Sequence, residues 1–328
     1  MTAPLSPLPT PDDIVAAHDR IRPHIHRTPV LTCDTLDRKT GARLLFKCEN
    51  VQKSGAFKAR GASNAVFGLD ADRAAQGVAT HSSGNHGGAL AYAAARRGLP
   101  CHVVMPRTAP RAKRDAVLGY GASVIDCDPG VVAREAALAE VVARTGAEPV
   151  HPFNDARVIA GQATCVLELL EDAGPLDAVV APIGGGGLVS GTCLALAAMA
   201  PETRVYAAEP RNADDAHRSL KAGRLITEDA PDTIADGLRT SMKDLTWQVV
   251  SRHVSDVLLA SEDEIIAAMM LIWTRMKIVV EPSSAVALAA ILNAPEVLAG
   301  QRVGVILTGG NVDLDRLPWM TARTGETR

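Results

Sequence analysis

Residues 178–201 contain no charged side chain, and a run this apolar has to be buried on every side. It is long enough to cross a bilayer as a single helix. Pro182 and the four consecutive glycines Gly184, Gly185, Gly186 and Gly187 interrupt it, so it reads as a buried strand, a turn and a core helix. The rest of the chain repeats this pattern. Short β-rich runs stand at 44–48, 77–81, 101–105, 123–127, 205–208, 257–260 and 303–307, and helix-period segments at 89–97, 131–145, 158–170, 188–199 and 265–276 separate most of them. Such alternation predicts an α/β fold with open, parallel-type sheets wrapped by helices. Thr10 before Pro11 caps a first helix to about Arg20, and Ser261 with Glu264 forms a capping box. No repeat or low-complexity linker divides the chain. Residues 76–149 form a compact strand-helix series, which predicts a small mobile domain inserted into a large one made of 1–75 and 150–328.

Composition narrows the function. The 328 residues are 47% apolar with a net charge of −3, and no basic block is interleaved with aromatics, so there is no electrostatic basis for a nucleic-acid partner. Six cysteines are scattered without a C-x-x-C pair, which argues for reduced thiols in the cytosol over a disulfide framework or a cysteine zinc site. The Pro-rich residues 1–13 have neither the basic start nor the apolar stretch of a targeting peptide. A cytoplasmic protein with no membrane attachment is expected.

Four features carry chemistry. In Ser54-Gly55-Ala56-Phe57-Lys58-Ala59-Arg60-Gly61-Ala62, one lysine stands among small residues at a loop-to-helix junction. An amine becomes a covalent catalyst when it is held partly neutral, and burial beside a cation such as Arg60 is expected to push its pKa down. The four glycines lie between a strand and a helix, where backbone N–H groups and the helix dipole hold a phosphate. No Walker or dinucleotide fingerprint follows, so the phosphate belongs to something smaller than a nucleotide. His81-Ser82-Ser83-Gly84-Asn85-His86-Gly87 combines hydroxyls, an amide and free N–H groups at a helix start, which suits a carboxylate and a ring hydroxyl. Thr308-Gly309-Gly310-Asn311 ends the last strand with a single hydroxyl at the crevice.

With Thr233-Ile234-Ala235-Asp236-Gly237 and Glu281-Pro282-Ser283-Ser284, these motifs occur in an order that resembles the fold type II pyridoxal-phosphate enzymes, which are tryptophan synthase β-like in fold. The resemblance lies with the serine/threonine dehydratase and serine racemase branch, including the 3-hydroxyaspartate dehydratases, and it covers residues 21–313. It implies pyridoxal 5'-phosphate as cofactor, carried by Lys58, with Phe57 beside the ring, Asn85 on the ring hydroxyl, the four glycines around the phosphate, Gly237 as a further cofactor-binding residue, and Thr308 at the pyridine nitrogen. A neutral hydroxyl there favours elimination over transamination. Ser82, Ser83, Gly84, Asn85 and His86 are expected to hold the substrate, and Ser83 to act as a second acid/base opposite Lys58. Two positions depart from the common pattern: Ala56 stands where serine is usual, and Thr308 where serine or cysteine is more frequent.

The resemblance also implies a divalent cation (Mg²⁺, Mn²⁺ or Ca²⁺) on Glu209, Asp215 and the carbonyl of Ala213, a structural site of hard oxygen ligands. Arg134 is expected to reach the pocket and pair with a second carboxylate on the substrate. The implied enzyme is a homodimeric ammonia-lyase that converts a small β-hydroxy amino acid (3-hydroxyaspartate, serine or threonine) to a 2-keto acid. Two alternatives stay open: a racemase with elimination as a side reaction, and a binding protein that has lost catalysis.

Overall fold

The computed structural model describes residues 7–82, 84–229 and 231–321. Ten strands run through them: β1 Val30–Leu31, β2 Arg43–Cys48, β3 Val78–His81, β4 Cys101–Pro106, β5 Ser123–Cys127, β6 Glu148–Pro149, β7 Ala178–Pro182, β8 Arg204–Pro210, β9 Val254–Ala260 and β10 Arg302–Leu307. They form a six-stranded sheet in the order β1-β2-β10-β7-β8-β9 and a four-stranded sheet in the order β5-β4-β3-β6. This is the expected α/β architecture of two parallel-type sheets wrapped by helices.

Packing follows the period of two. Leu44, Phe46, Val180, Val303 and Val305 join one apolar cluster, while Leu45, Val179, Ala181 and Ile306 join another on the opposite face of the larger sheet. In the smaller sheet Val78 and Val103 face one cluster and Ala79 and Val104 another. A strand covered on both faces needs apolar residues at every position, which is why β7 carries no charge. The helix Gly187–Met199 that follows it is buried on most of its surface. No helix among the described residues is long and apolar enough to cross a membrane.

Three local expectations change. Strand β1 pairs antiparallel with β2, placing Val30 opposite Lys47 and Leu31 opposite Phe46. Residues 32–42, which include helix Asp34–Thr40, join the two strands and return the chain antiparallel beside β1. The segment 265–276 is not one α-helix, because Glu262–Leu271 passes into a π-turn at Ile272–Met276 that stops at Lys277, where φ is +61°. Helix Pro282–Asn293 has no sequence period to announce it, since residues from Ser283 to Ile291 are all buried.

One helix pair fixes the distance between the lysine segment and the rest of the fold. Helix Lys58–Phe67 crosses helix Ala156–Ala173 so closely that a Cβ on Gly161 would stand 2.6 Å from the Cα of Gly61. Beside this crossing lies a buried ion network. Arg60 donates to both oxygens of Glu49 (2.8 and 2.7 Å) and to both oxygens of Glu168 (2.9 and 2.7 Å), and Lys47 donates to Glu168 at 2.8 Å. Arg60, Glu49 and Lys47 are fully buried.

Two cations and two carboxylates balance, so the network is stable only when complete. Arg60→Met leaves two buried carboxylates with Lys47 alone, and breaking a buried pair in this way costs about 3–5 kcal/mol. Urea unfolding is expected to show that loss; a change below about 1 kcal/mol would mean that the network contributes no more than a surface pair.

Candidate active site

The lysine segment is sewn to the end of β10. Ser54 and Gly55 turn the chain with φ of +56° and +73°, and a Cβ on Gly55 would stand 2.2 Å from the Asn311 side-chain oxygen. The Phe57 N–H donates to the Thr308 carbonyl at 3.0 Å and the Gly310 N–H to the Gly55 carbonyl at 2.9 Å, while Asn311 Nδ2 donates to the Ser54 carbonyl at 2.9 Å. A helix then begins at Lys58, whose Nζ donates to the Pro152 carbonyl at 2.7 Å and lies 5.1 Å from the centre of the Phe57 ring. Burial lowers this amine to about 8, so a fraction of it is unprotonated near neutral pH. Arg60 does not contribute as expected. Its guanidinium is turned into the Glu49–Glu168 network and neutralised there, and burial alone depresses Lys58.

Lys58 opens into a cavity of about 310 Å3. Phe57, Ser82, Gly84, Asn85, His86, Arg134, the four glycines, Gly237 and Thr308 line the same cavity. Ser83 lies outside the described residues. The glycine turn has no space for side chains: a Cβ on Gly185 would stand 2.3 Å from the Phe153 ring and one on Gly187 2.9 Å from the Phe153 Cβ. Gly186 has φ of +83°, and no side chain caps the helix that begins at Gly187. Backbone N–H groups and a positive helix end are therefore left for an anion at the cavity wall. The Gly237 N–H is taken by Ser283 Oγ at 2.9 Å. Thr308 is buried at the end of β10, and its hydroxyl has no hydrogen-bond partner among the described residues. A phosphate cradle, a depressed lysine and a lone hydroxyl across one cavity fit pyridoxal phosphate.

Asn85 is clamped. Its Nδ2 donates to Glu281 Oε1 at 2.6 Å and its Oδ1 accepts from Asn311 Nδ2 at 3.0 Å, which leaves one amide proton for a ligand. Glu281 is buried, and burial raises its pKa even with the Lys113 ammonium 3.4 Å away. Lys113 also pairs with Asp236; burial pulls its pKa down, but Glu281 and Asp236 outweigh that and hold it charged. Sequence reasoning assigned nothing to Lys113, Asp236 or Glu281, although the two acids stand in quoted motifs. Ser82 Oγ accepts from the Gly84 N–H at 3.1 Å and shapes the loop. His86 is buried with Nε2 at 3.3 Å from the Val150 carbonyl, and burial lowers it to about 3, so it is neutral.

Arg134 stands in the first turn of helix Val131–Thr145, where its Nε donates to the Gly130 carbonyl at 3.2 Å. It makes no ion pair among the described residues, and burial lowers its pKa. Its neighbour Glu135 is paired with Lys243. Neither Glu135 nor Lys243 was singled out by sequence.

Glu209, Ala213 and Asp215 lie away from this cavity. Glu209 ends β8 and accepts from the Ala216 and His217 N–H groups at 3.1 and 3.0 Å, and Asp215 opens helix Asp215–Ala222. Both acids are buried, and neither pairs with a Lys or Arg among the described residues. Burial, then the charge of Asp215, raises Glu209 to about 9, and burial raises Asp215 to about 6. One Asp215 carboxylate oxygen has no hydrogen-bond partner. Two buried carboxylates that repel each other, with Ala213 in the turn between them, are a donor set that a hard cation fits.

A family model described as "Pyridoxal-phosphate dependent enzyme" matches residues 21–309. The chain is 63% identical to a beta-hydroxyaspartate dehydratase of Paracoccus denitrificans (strain Pd 1222), over 95% of this chain and 99% of that one. Among solved structures, maize serine racemase superposes with a TM-score of 0.92 at 45% identity, covering 95% of this chain and 96% of that one. A pyridoxal 5'-phosphate-dependent aspartate racemase superposes with a TM-score of 0.90 at 37% identity, covering 97% and 100%. The depressed lysine, the glycine cradle and these similarities agree: the chain belongs to the fold type II pyridoxal-phosphate dependent enzymes.

Proposed function

We propose that this enzyme is an ammonia-lyase that dehydrates 3-hydroxyaspartate and releases ammonia, leaving a dicarboxylic 2-keto acid. The observation that carries this reading is Arg134, an unpaired guanidinium in the wall of the cavity that holds Lys58. A second carboxylate on the substrate would neutralise it bidentately, whereas the methyl group of threonine would leave it unpaired. The 63% identical relative bears the name of the same reaction.

When bound, pyridoxal phosphate supplies a sink for the electron pair left at the substrate Cα. The four glycines and the helix end at Gly187 would hold its phosphate, the free proton of Asn85 would serve the ring hydroxyl, Phe57 would pack beside the ring, and Thr308 would offer the ring nitrogen a neutral hydroxyl. Lys58 Nζ would carry the cofactor and, once free, would take the Cα proton, for which a pKa near 8 suits it. The β-hydroxyl would leave as water with the proton that Lys58 took from Cα. Ser82 and Gly84 meet the α-carboxylate while Arg134 meets the distal one. Residues 76–149 act as a small domain that closes over the substrate.

A racemase reading is favoured by the close match to maize serine racemase, and it rests on Ser83 as the second base. Racemisation needs a proton donor on the face opposite Lys58, whereas elimination needs Lys58 alone. Assays of L- and D-serine for interconversion separate the two readings. Glu209, Asp215 and the Ala213 carbonyl hold the divalent cation, with a structural role.

Three outcomes test these assignments. Gly185→Ala drives a methyl group into Phe153, an overlap worth about 1–3 kcal/mol, so cofactor affinity is expected to fall roughly ten- to a hundredfold. Titration of the visible absorbance of the bound cofactor measures it, and wild-type affinity would remove the cradle. Arg134→Ala should lower kcat/KM for 3-hydroxyaspartate roughly ten- to a hundredfold and for serine much less, as for a lost charged hydrogen-bonded pair. Equal losses would turn the assignment toward serine or threonine. Chelation should lower the melting temperature, by about 2–4 °C for each kcal/mol of binding free energy withdrawn. If neither the melting temperature nor activity responds, and calorimetry detects no binding of Mg²⁺, Mn²⁺ or Ca²⁺, the cation site is disproved.

A further inference from the structure

The wall around Arg134 contains more charge than the reaction uses. Glu135, the next residue on helix Val131–Thr145, pairs with Lys243, which stands just before helix Asp244–His253 and also lines the cavity. His81 and His151 lie within electrostatic reach of these groups. The imidazoles offer atoms within 4.8 Å of one another and of a Glu135 oxygen, which is the spacing of a metal site. The bonding says otherwise. His151 Nδ1 accepts from the Phe153 and Asn154 N–H groups at 3.3 and 2.9 Å, so the proton sits on Nε2, and Glu135 is already engaged by Lys243. Burial lowers His81 to about 4 and His151 to about 2, so both are neutral and add no charge. The charge of this wall is set by Arg134, Glu135 and Lys243.

Helix Val131–Thr145 packs through its later turns, where Val141 is buried and Ala137, Leu138 and Val142 are partly so, and its first turn has no buried side chain. Among the described residues Arg134 bonds only to its own turn, at the Gly130 carbonyl. Successive residues on a helix point about 100° apart. A tie at Glu135 therefore sets the rotation of the helix and with it the direction of Arg134.

We propose that the Glu135–Lys243 ion pair is a positioning device for Arg134: it anchors the first turn of the helix to the segment that opens helix Asp244–His253, so that the guanidinium faces the distal carboxylate of the substrate. This rests on the 3-hydroxyaspartate reading. The pair lies close to the helix start and lines the same cavity as Lys58, with no contact between either side chain and Lys58. Its side chains are 43% and 39% exposed, so its worth is that of a half-solvated pair.

The experiment compares Glu135→Gln, Lys243→Met and the exchange Glu135→Lys/Lys243→Glu in the holoenzyme, with kcat and KM measured on 3-hydroxyaspartate and on L-serine. Each single variant is expected to raise KM for 3-hydroxyaspartate roughly two- to fivefold, the range of a half-exposed pair, with a smaller effect on kcat and on the serine KM. The exchanged pair restores the same tie with the charges reversed and should recover most of the wild-type KM. The inference is overturned if the exchange is no better than the singles, which would mean that the pair is structural. It is overturned equally if Glu135→Gln lowers KM, since Lys243 would then be binding the substrate directly. If the wild-type enzyme does not turn over 3-hydroxyaspartate at all, the substrate reading fails and takes this inference with it.

Discussion

Arg60 is fully buried two residues after Lys58, and two carboxylates, Glu49 and Glu168, satisfy its guanidinium from different parts of the chain. Desolvating this group is tolerable only because every donor finds an acceptor, and the acceptors come from the segment after β2 and from helix Ala156–Ala173. The start of the lysine helix is thereby fixed against the large sheet. The backbone contact between Gly61 and Gly161 adds a second constraint, since neither helix can shift without a clash. Lys58 inherits its position from both.

Across the cavity the same economy of charge recurs with a different purpose. Lys58 has no carboxylate partner among the described residues, and burial alone makes its amine available for covalent chemistry. Lys113, by contrast, is held between Asp236 and Glu281 and stays charged. Glu281 in turn orients Asn85, so a lysine buried behind Glu281 helps to aim an amide that lines the cavity. The glycine turn brings no cationic side chain of its own. Close packing of Phe153 against the glycine turn leaves only backbone N–H groups there.

The elements that were legible in the sequence are those with a clear period or a clear cap. Strand β5 and helix Val131–Thr145 lie where their patterns place them, and the capping boxes at Thr10 and Ser261 are both formed. Helix Pro282–Asn293 was not legible, because burial on all sides erases the amphipathic signal. Part of the cavity was legible as well: Lys58, Asn85, the four glycines and Thr308 come from distant stretches and line one space.

What the sequence determined by itself is the fold class, the family and the chemical character of the site, since these depend on local period, glycine placement and motif order. Tertiary structure alone decided which charges neutralise one another. Arg60 looked like the neighbour that would depress Lys58, yet it faces Glu49 and Glu168, because a buried guanidinium must find acceptors and these converge only in the folded chain. Lys113, Asp236, Glu281, Glu135 and Lys243 carry no local mark of their pairing. Each is separated from its partner by many residues, and electrostatic energy depends on distance in space, which sequence spacing does not record.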